Sequence, residues 1–317
     1  MERLDAFMAR ANADYYASRD PFADFITAPE ISQVFGEILG LWAAVTWQAM
    51  GAPDPVLLAE AGPGRGTLMA DALRAAERVP AFRAALRLHL VETSPRLRAI
   101  QAERLPQPVF HDRVEDLPDG PLVLLANEFL DALPIRQLLR HAGGQSEHFV
   151  QHGALVAVPP AEGACVVQEI CEPARALATH LGARLAAQGG AALFLDYGPA
   201  ASAPGDSLQA LRDGKPADPL ADPGTADLTA HVDFQAVAEA ARAGGGGVQG
   251  PLPQGIFLSR LGLFQRSGVL ARTLPPAAGQ AMIAAAQRLA EPDRMGRLFK
   301  AMAVCDPALP PLPGFTA

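Results

Sequence analysis

Short apolar runs alternate with amphipathic stretches along the first half of the 317-residue chain. Apolar residues recur at helical spacing over positions 31–45, which predicts a helix that ends at the glycine and proline after it. Four short segments further along, apolar or alternating in character, predict strands. They span residues 55–59, 86–92, 108–111 and 122–127. Helical stretches separate them, and such alternation predicts a parallel sheet covered by helices on both faces.

The second half of the chain follows a different pattern. Two turn signals between short strand-like runs predict a β-meander over residues 136–158, within an insertion at about 135–172. Residues 199–232 contain many proline, glycine and aspartate residues, so we expect a long lid loop there. The proline-rich tail over 306–317 is expected to be loose. Further helices are predicted at 174–187, 234–242, 256–263 and 279–289, and further strands at 191–195 and 298–305.

The composition narrows the class of protein. Half of the residues are apolar and 19% are charged, which is typical of a globular protein. The net charge of −8 disfavours nonspecific nucleic-acid binding, which depends on neutralising phosphates. The three cysteines have neither disulfide-framework nor zinc-site spacing, so no metal is expected. Neither a signal sequence nor an apolar membrane span is evident, so we expect a cytoplasmic protein without membrane insertion.

A glycine-rich loop follows the first predicted strand. Glu60 is followed by Gly62, Gly64 and Gly66, so glycine occupies every second position. Glycine tolerates positive φ and lets a ligand lie against bare main chain. The dinucleotide fingerprint G-x-G-x-x-G requires a third glycine three residues after the second, and here it comes two residues after. A turn that only packs a helix against a strand is the alternative interpretation.

Polar side chains occur where the predicted strands end, at the sheet edge where α/β proteins bind ligands. Glu92 ends the second strand and Asp112 follows the third. Asn127 and Glu128 end the fourth strand, and Asp131 comes three residues later, a spacing that would place both acids on one face of a helical turn. Asp112 is explained equally well as a helix or turn cap.

Eight strings of the sequence, together covering nearly the whole chain in order, carry a family resemblance. They lie at residues 24–37, 60–68, 90–94, 126–134, 196–198, 223–234, 254–262 and 295–300. The loop spacing E-x-G-x-G-x-G resembles the first motif of class I S-adenosylmethionine-dependent methyltransferases. The full set resembles the MidA family, the mitochondrial complex I assembly-factor methyltransferases and their bacterial relatives.

The resemblance implies an α/β fold of the class I methyltransferase type, Rossmann-like with a mostly parallel sheet. A helical lid segment would occupy residues 1–52 and the methyltransferase domain residues 53–305, with the inserted meander in the substrate region. The methyl donor would be S-adenosyl-L-methionine and the product S-adenosyl-L-homocysteine. The acceptor would be an arginine, symmetrically dimethylated, in a 49-kDa-type subunit of respiratory complex I, so a protein partner is expected.

The resemblance also suggests roles for the donor-site residues. Glu92 would hold the ribose hydroxyls, and Asp112 is the candidate for the adenine amino group. Thr27, Glu30 and Ser32 are candidate lid residues over the donor. For these three the alternative is a helix N-terminus capped by Ser32 or Thr27.

An arginine acceptor sets a chemical requirement. The guanidinium pKa lies above about 12, so carboxylates must hold the group and it must lose a proton as the methyl bond forms. Glu128 and Asp131 are the candidate carboxylate pair, unless they cap a helix or pair with Arg136. Asn127 either satisfies backbone groups or reaches the amino end of the donor.

Two other functions remain open at this point. The chain could be an assembly or binding factor with weak or no catalysis, or a methyltransferase for a small molecule. The intact glycine loop and the acids at positions 60 and 92 favour an enzyme. The oligomeric state does not follow from the sequence.

Overall fold

The computed structural model describes residues 1–19 and 27–316, which form three β-sheets and a set of surrounding helices. The strands are β1 (Glu2–Arg3), β2 (Val56–Ala61), β3 (Leu86–Val91), β4 (Val109–His111), β5 (Leu122–Asn127), β6 (Arg136–His141), β7 (Gly144–Gln151), β8 (Ala154–Val158), β9 (Val166–Ile170), β10 (Gly190–Tyr197), β11 (Gln209–Arg212), β12 (Lys215–Ala217), β13 (Asp227–Thr229), β14 (Gly247–Pro253) and β15 (Phe299–Cys305). The helices are α1 (Leu4–Ser18), α2 (Ala28–Ile31), α3 (Gln33–Ala49), α4 (Thr67–Ala76), α5 (Pro80–Ala85), α6 (Pro95–Arg104), α7 (Glu172–Gln188), α8 (Phe234–Ala243), α9 (Gln254–Arg260), α10 (Leu263–Ala271), α11 (Pro276–Ala290) and α12 (Met295–Leu298).

The central sheet has seven strands in the order β14-β15-β10-β5-β2-β3-β4. The five strands from β10 to β4 are parallel, and β15 is antiparallel to both of its neighbours. Every residue of β2 and β5 is buried, because helices cover both faces of a parallel sheet. The predicted mostly parallel sheet with helices on both faces is therefore confirmed.

Each face of the central sheet supports its own apolar core. One core contains Phe35 and Trp42 of α3 and extends to Phe257 of α9. The other contains Leu181 of α7 and Phe234 of α8. Helices α3 and α4 approach closely, and a Cβ at Gly40 would lie 2.5 Å from the Ala72 Cα, so only glycine fits there.

The inserted antiparallel sheet has the predicted meander β6-β7-β8 at its centre. Two strands absent from the prediction extend it, since β9 pairs with β6 and the N-terminal β1 pairs with β7. Glu2 lies opposite Val150, which places the start of the chain on the insertion. Helix α1 follows directly and lies within the helical segment expected over residues 1–52.

The prediction of a long lid loop over residues 199–232 is wrong. This region contains a three-stranded antiparallel sheet in the order β12-β11-β13. Ala210 and Leu228 lie opposite each other in adjacent strands, and both are buried. The strands have three or four residues each, too short for a recognisable alternation among the prolines and glycines.

The prediction of a loose tail after residue 305 is also wrong, because this segment packs on the core. Leu312 is only 1% exposed, and the Phe315 ring lies 5.0 Å from the ring of Phe257. The Trp42 indole N–H donates to the Pro313 carbonyl at 3.2 Å. The apolar side chains of this segment are spaced irregularly between prolines, so no periodic pattern announces their burial.

Candidate functional site

A cavity of about 720 Å³ opens at the carboxyl edge of the central sheet. This volume suits a small-molecule ligand or cofactor. Nine of the twelve predicted site residues line the cavity. They are Thr27, Glu30, Glu60, Gly62, Gly64, Glu92, Asp112, Asn127 and Glu128.

Three predicted residues do not line this cavity. Gly66 directly precedes α4, and a Cβ there would lie 3.1 Å from the Leu105 side chain. This glycine therefore permits close packing against Leu105. The Ser32 hydroxyl accepts the Val34 N–H at 3.3 Å and caps α3, as the alternative interpretation proposed. Asp131 belongs to the loop that follows β5, and its side chain is buried away from the cavity lining.

The glycine-rich loop holds a conformation that few other residues adopt. Gly62, Gly64 and Gly66 all have positive φ, at 65°, 54° and 73°. A Cβ at Gly62 would lie 3.0 Å from the Phe129 ring. The Gly62 N–H donates to the Val91 carbonyl at 3.1 Å, which ties the loop to β3. The loop is thus a fixed turn with exposed main chain on the cavity side.

Glu60, at the end of β2, is 3% exposed and lines the cavity. Burial raises the pKa of its carboxyl to about 8. Its Oε2 atom is buried without a hydrogen-bond partner. An unsatisfied buried carboxyl oxygen is costly, so a ligand that donates a hydrogen bond here would offset that cost.

Glu92 lies opposite the loop at the end of β3. Its Oε1 accepts the Ser94 N–H at 2.8 Å, and its Oε2 accepts the Gln101 amide at 3.4 Å. The same amide donates to the Gly64 carbonyl at 2.6 Å, so Gln101 connects the acid to the glycine loop. Burial raises the pKa of Glu92. A carboxylate held this way is suited to bind hydroxyl groups.

Asp112 differs from the other acids because its side chain is 73% exposed. Arg98 binds its carboxylate at 2.6 Å. The same guanidinium also donates to the carbonyls of Glu92 and His111. Arg98 therefore holds the end of β4 against the end of β3, with Asp112 at the rim of the cavity.

Glu128, which directly follows β5, adopts a strained backbone conformation. Its φ is 48°, which is uncommon for a residue other than glycine and often marks a functional site. Its Oε1 accepts the Ala28 N–H at 3.2 Å and the Asn127 amide at 3.0 Å. Burial raises the pKa of Glu128 to about 6. Both hydrogen bonds use Oε1, and within residues 1–19 and 27–316 no hydrogen bond to Oε2 is present, so this oxygen could bind a ligand.

Asp196, at the end of β10, shapes the loop that carries Glu128. Its Oδ2 accepts the N–H groups of Phe129 at 3.1 Å and Leu130 at 2.9 Å, and that of Asp131 at 3.3 Å. These bonds draw the loop into a tight turn, so the helical turn expected at Glu128 and Asp131 does not form. Burial and the neighbouring Asp196 raise the pKa of Asp131.

The alternative pairing of these acids with Arg136 is also absent. Arg136 instead binds Glu147 across the inserted sheet, at 2.7 Å and 2.8 Å between the two pairs of atoms. The Asn127 Oδ1 atom is buried and has no hydrogen-bond partner. This oxygen lies at a cavity-lining residue and adds a second unsatisfied acceptor to that of Glu60.

The short helix α2 closes one side of the cavity. Glu30 accepts the Thr67 hydroxyl at 2.5 Å, and Arg104 donates to the same hydroxyl. The Ala28 N–H donates to Glu128, so hydrogen bonds join α2 both to α4, the helix after the glycine-rich loop, and to the loop that carries Glu128. Residues 20–26, which include Asp24 to Ile26 of the first family string, lie outside the described chain.

Helix α1 supplies cavity residues that sequence reasoning missed, among them Asn12 and Tyr16. The Tyr16 hydroxyl donates to Asp227 at 2.7 Å. The Asn12 amide donates to the carbonyls of Ala132 at 3.1 Å and Leu228 at 2.8 Å. Tyr15 and Tyr16 belong to an aromatic cluster of the sequence whose other members, Phe22 and Phe25, lie outside the described residues.

Acidic residues outnumber basic ones in the lining of the cavity. Glu60, Glu92 and Glu128 line it, and Asp131 and Asp196 are buried next to it. Throughout residues 1–19 and 27–316, no three His, Cys, Asp or Glu side chains are grouped so that they could hold a metal ion. In the same residues no helix is long and apolar enough to span a membrane. The acidic side chains that line the cavity suit an organic cation as the ligand.

Comparison with known proteins identifies a family and several relatives that match most of this chain. The model of the family described as "Putative S-adenosyl-L-methionine-dependent methyltransferase" matches residues 38–252. A Drosophila melanogaster relative named "Protein arginine methyltransferase NDUFAF7 homolog, mitochondrial" is 34% identical and covers 96% of this chain and 80% of its own length. The Homo sapiens protein arginine methyltransferase NDUFAF7 is also 34% identical, over 92% of this chain and 76% of its own length.

Two solved structures from Burkholderia thailandensis share the fold. One was crystallised with S-adenosyl-homocysteine, and it has a TM-score of 0.77 and 25% identity over 99% of this chain and 88% of its own. The native structure has a TM-score of 0.81 and 26% identity over 99% of this chain and 90% of its own. The relatives from Drosophila melanogaster, Danio rerio and Homo sapiens are named as mitochondrial proteins, which overturns the cytoplasmic location expected from the sequence.

Proposed function

Because this chain belongs to the family of S-adenosyl-L-methionine-dependent methyltransferases, we propose that it methylates an arginine side chain of a protein acceptor. S-adenosyl-L-methionine is the methyl donor that this family uses. The relatives from fly and human are named protein arginine methyltransferases, which supports the choice of acceptor. The acidic lining of the cavity supports it as well, because a guanidinium is a permanent cation.

The residues of the cavity fit the donor. The left-handed turn at Gly62 and Gly64 leaves main chain free on the cavity side, and a Cβ at Gly62 would collide with Phe129. The unsatisfied oxygen of Glu60 suits the amino group of the donor, and Glu92 suits its ribose hydroxyls. We retain Asp112 as the candidate for the adenine amino group. When bound, the donor supplies a methyl group on a positively charged sulfur.

The observation that carries the arginine assignment is the strained, partly buried Glu128, whose Oε2 accepts no hydrogen bond from the described residues. A carboxylate can hold a guanidinium through charge-assisted hydrogen bonds. As the nitrogen–methyl bond forms, the guanidinium must lose a proton, and we assign its acceptance to Glu128 Oε2. Asn127 fixes Oε1 through its amide. Asp131 is retained as a positioning residue, since it lies in the turn that Asp196 holds.

We also propose that different parts of the chain form the donor side and the acceptor side of the site. Residues 53–305 would carry the donor site, and residues 1–52 with the insertion at about 135–172 would form the acceptor side. The support is that α1 and α2 contribute cavity residues and that β1 pairs with β7 of the insertion. The family resemblance further suggests a 49-kDa-type subunit of complex I as the acceptor protein.

The test uses purified chain, methyl-labelled S-adenosyl-L-methionine and a recombinant 49-kDa-type complex I subunit. We expect label on an arginine of that subunit, located by mass spectrometry. Glu128→Gln should bind the donor normally, by isothermal titration, and transfer no label. Glu77→Gln, at an exposed glutamate that follows α4 and does not line the cavity, is the matched control and should transfer normally. Donor binding without transfer would instead favour a binding factor.

A further inference from the structure

Tyr16 of α1 connects the donor end of the cavity with a buried acid that the proposed function does not use. The Ser94 hydroxyl donates to the Tyr16 carbonyl at 3.2 Å, and the Ser94 N–H donates to Glu92. The Tyr16 hydroxyl donates to Asp227 at 2.7 Å. Tyr16 itself lines the cavity. Its main chain thus contacts the donor end, while its side chain is bonded to Asp227.

Asp227 is the first residue of β13, and hydrogen bonds fasten this strand to the loop at residues 128–134. The Asn12 amide of α1 donates to a carbonyl of each segment, at 3.1 Å and 2.8 Å. In addition, the Ala230 N–H, one residue beyond β13, donates to the Asp131 carbonyl at 3.0 Å. Together these bonds hold the strand that carries Asp227 against the loop that carries Glu128.

The charge of Asp227 acts on Glu128. Burial is the main cause that raises the pKa of Glu128 to about 6, and the negative charge of Asp227 adds to the rise. Arg288 of α11 has the opposite effect on this pKa. Glu128 in turn raises the pKa of both Asp131 and Asp196. Among the described residues, acids therefore outnumber cations around Glu128, as a site for a guanidinium requires.

The Tyr16 hydroxyl keeps the Asp227 carboxylate charged and in place. Asp227 is 5% exposed, and burial by itself favours the neutral form of a carboxyl group. A hydrogen bond donated to the charged form has the opposite effect. Burial and the charge of Asp227 raise the pKa of the Tyr16 phenol, so this group is neutral and acts as the donor. The bond therefore runs from a neutral phenol to a carboxylate.

We propose that Tyr16 and Asp227 are positioning residues for the guanidinium of the acceptor. Tyr16 fixes the Asp227 carboxylate, and the charge of Asp227 strengthens the attraction of the Glu128 site for a cation and for its proton. The proposal rests on the function proposed above and names two further residues of its acceptor site. It requires that Tyr16 acts through Asp227 and has no separate effect on the acceptor.

The first test measures recognition of the guanidinium without catalysis. Two fluorescein-labelled peptides of glycine and serine carry either a central arginine or a central citrulline, which is its neutral isostere. Fluorescence anisotropy with S-adenosyl-L-homocysteine present measures their binding. The native protein should bind the arginine peptide at least about tenfold more tightly, as charge-assisted hydrogen bonds do. Tyr16→Phe and Asp227→Asn should each reduce this preference at least about threefold, within the range of coupled neighbouring residues.

The double variant decides whether Tyr16 acts through Asp227. If it does, the double variant should show the same preference as Asp227→Asn alone. Reductions that multiply would overturn the proposed coupling. All three proteins should bind S-adenosyl-L-homocysteine within about twofold of the native protein, because the contact with Ser94 uses the main chain of Tyr16. Tyr16→Phe keeps the ring and the main chain, so an unchanged preference in this variant would by itself overturn the proposal.

The control variant is Thr273→Val, at an exposed residue that follows α10 and does not line the cavity. It also removes one hydroxyl hydrogen bond, since Thr273 donates to the Leu270 carbonyl at 2.7 Å. The preference for the arginine peptide should be the same as in the native protein. Equal binding of both peptides to the native protein, or an equal reduction in the control variant, would overturn the assignment.

The pH dependence of methyl transfer gives a readout that a purely structural role would not change. With the recombinant 49-kDa-type subunit as acceptor, kcat/KM of the native protein should rise with pH through the pKa of Glu128, about 6. Asp227→Asn removes a negative charge that raises this pKa, so the rise should occur about 0.5 pH unit lower or more. An unchanged midpoint would refute the action of Asp227 on Glu128.

The two assays separate this proposal from the proposed function. A preference for arginine over citrulline that depends on Tyr16 and Asp227, without transfer of label to any arginine, would refute the arginine-methyltransferase proposal and support these residues as holding a guanidinium. Transfer of label together with an unchanged preference in both variants would support the enzyme and refute the role of Tyr16 and Asp227.

Discussion

Replacement of Glu128 by glutamine is expected to stabilise the fold at neutral pH while it abolishes methyl transfer. The structure gives the cause, because burial raises the pKa of this carboxyl from 4.5 to about 6. A carboxyl perturbed to this extent costs the fold about 2 kcal/mol when it is charged. Glutamine keeps an oxygen for the Ala28 N–H, so the variant removes the charge without removing that acceptor.

The sign of this effect follows from linkage. A carboxyl whose pKa is raised in the fold stabilises the protein fully below the unfolded pKa, and that contribution is lost as pH rises through the folded pKa. For Glu128 the loss occurs between about pH 4.5 and 6. The variant should therefore exceed the native protein by about 2 kcal/mol at pH 7.5 and by less than about 0.5 kcal/mol at pH 4.5.

Urea unfolding at the two pH values, followed by the fluorescence of buried Trp42 and Trp47, measures the difference. Glu147→Gln is the control of opposite sign, because its hydrogen bond with Arg136 lowers the pKa of Glu147. That variant should lose stability at pH 7.5. A Glu128→Gln protein that is less stable than native at pH 7.5, or equally stabilised at both pH values, would refute the reasoning.

Three further predictions concern the loop, its acid and the tail. Donor binding should release a proton from Glu60 at pH 7, because the pKa of this carboxyl is about 8 in the free protein. Titration calorimetry in two buffers of different ionisation enthalpy should detect the released proton, and Glu60→Gln should abolish the release. Gly62→Ala should cost about 1–2 kcal/mol in urea unfolding because of its positive φ, and should weaken donor affinity. Leu312→Ala should lower the unfolding free energy by about 2–5 kcal/mol, since this tail residue is 1% exposed; an unchanged value would contradict its place in the core.

The central sheet and the glycine loop could be predicted because their causes are local. The strand expected at 122–127 is Leu122–Asn127, a continuous apolar run that a doubly covered sheet requires. The helix expected at 234–242 is Phe234–Ala243, and the Asp233 carboxylate caps it by accepting the Ala236 N–H. Positive φ at Gly62 likewise follows from the residue type at a strand-to-helix turn.

Other features depend on contacts between distant residues and have no local signal. Asp196 shapes the turn at residues 129–131 from 65 positions away or more, which is why the expected pairing of Glu128 and Asp131 failed. The Asn12 amide contacts Leu228 across 216 positions. The tail packs through single apolar residues between prolines. Such contacts depend on the folded topology, which periodicity along the chain does not encode.

The central claim is that the turn at Gly62 to Gly66, with Glu60 and Glu92, binds the methyl donor. A crystal structure of this protein grown with S-adenosyl-L-homocysteine tests it most directly. We predict density for the nucleotide along the main chain of that turn, with the ribose hydroxyls on the Glu92 carboxylate. Density at another place, or an empty turn at saturating ligand concentration, would contradict the account.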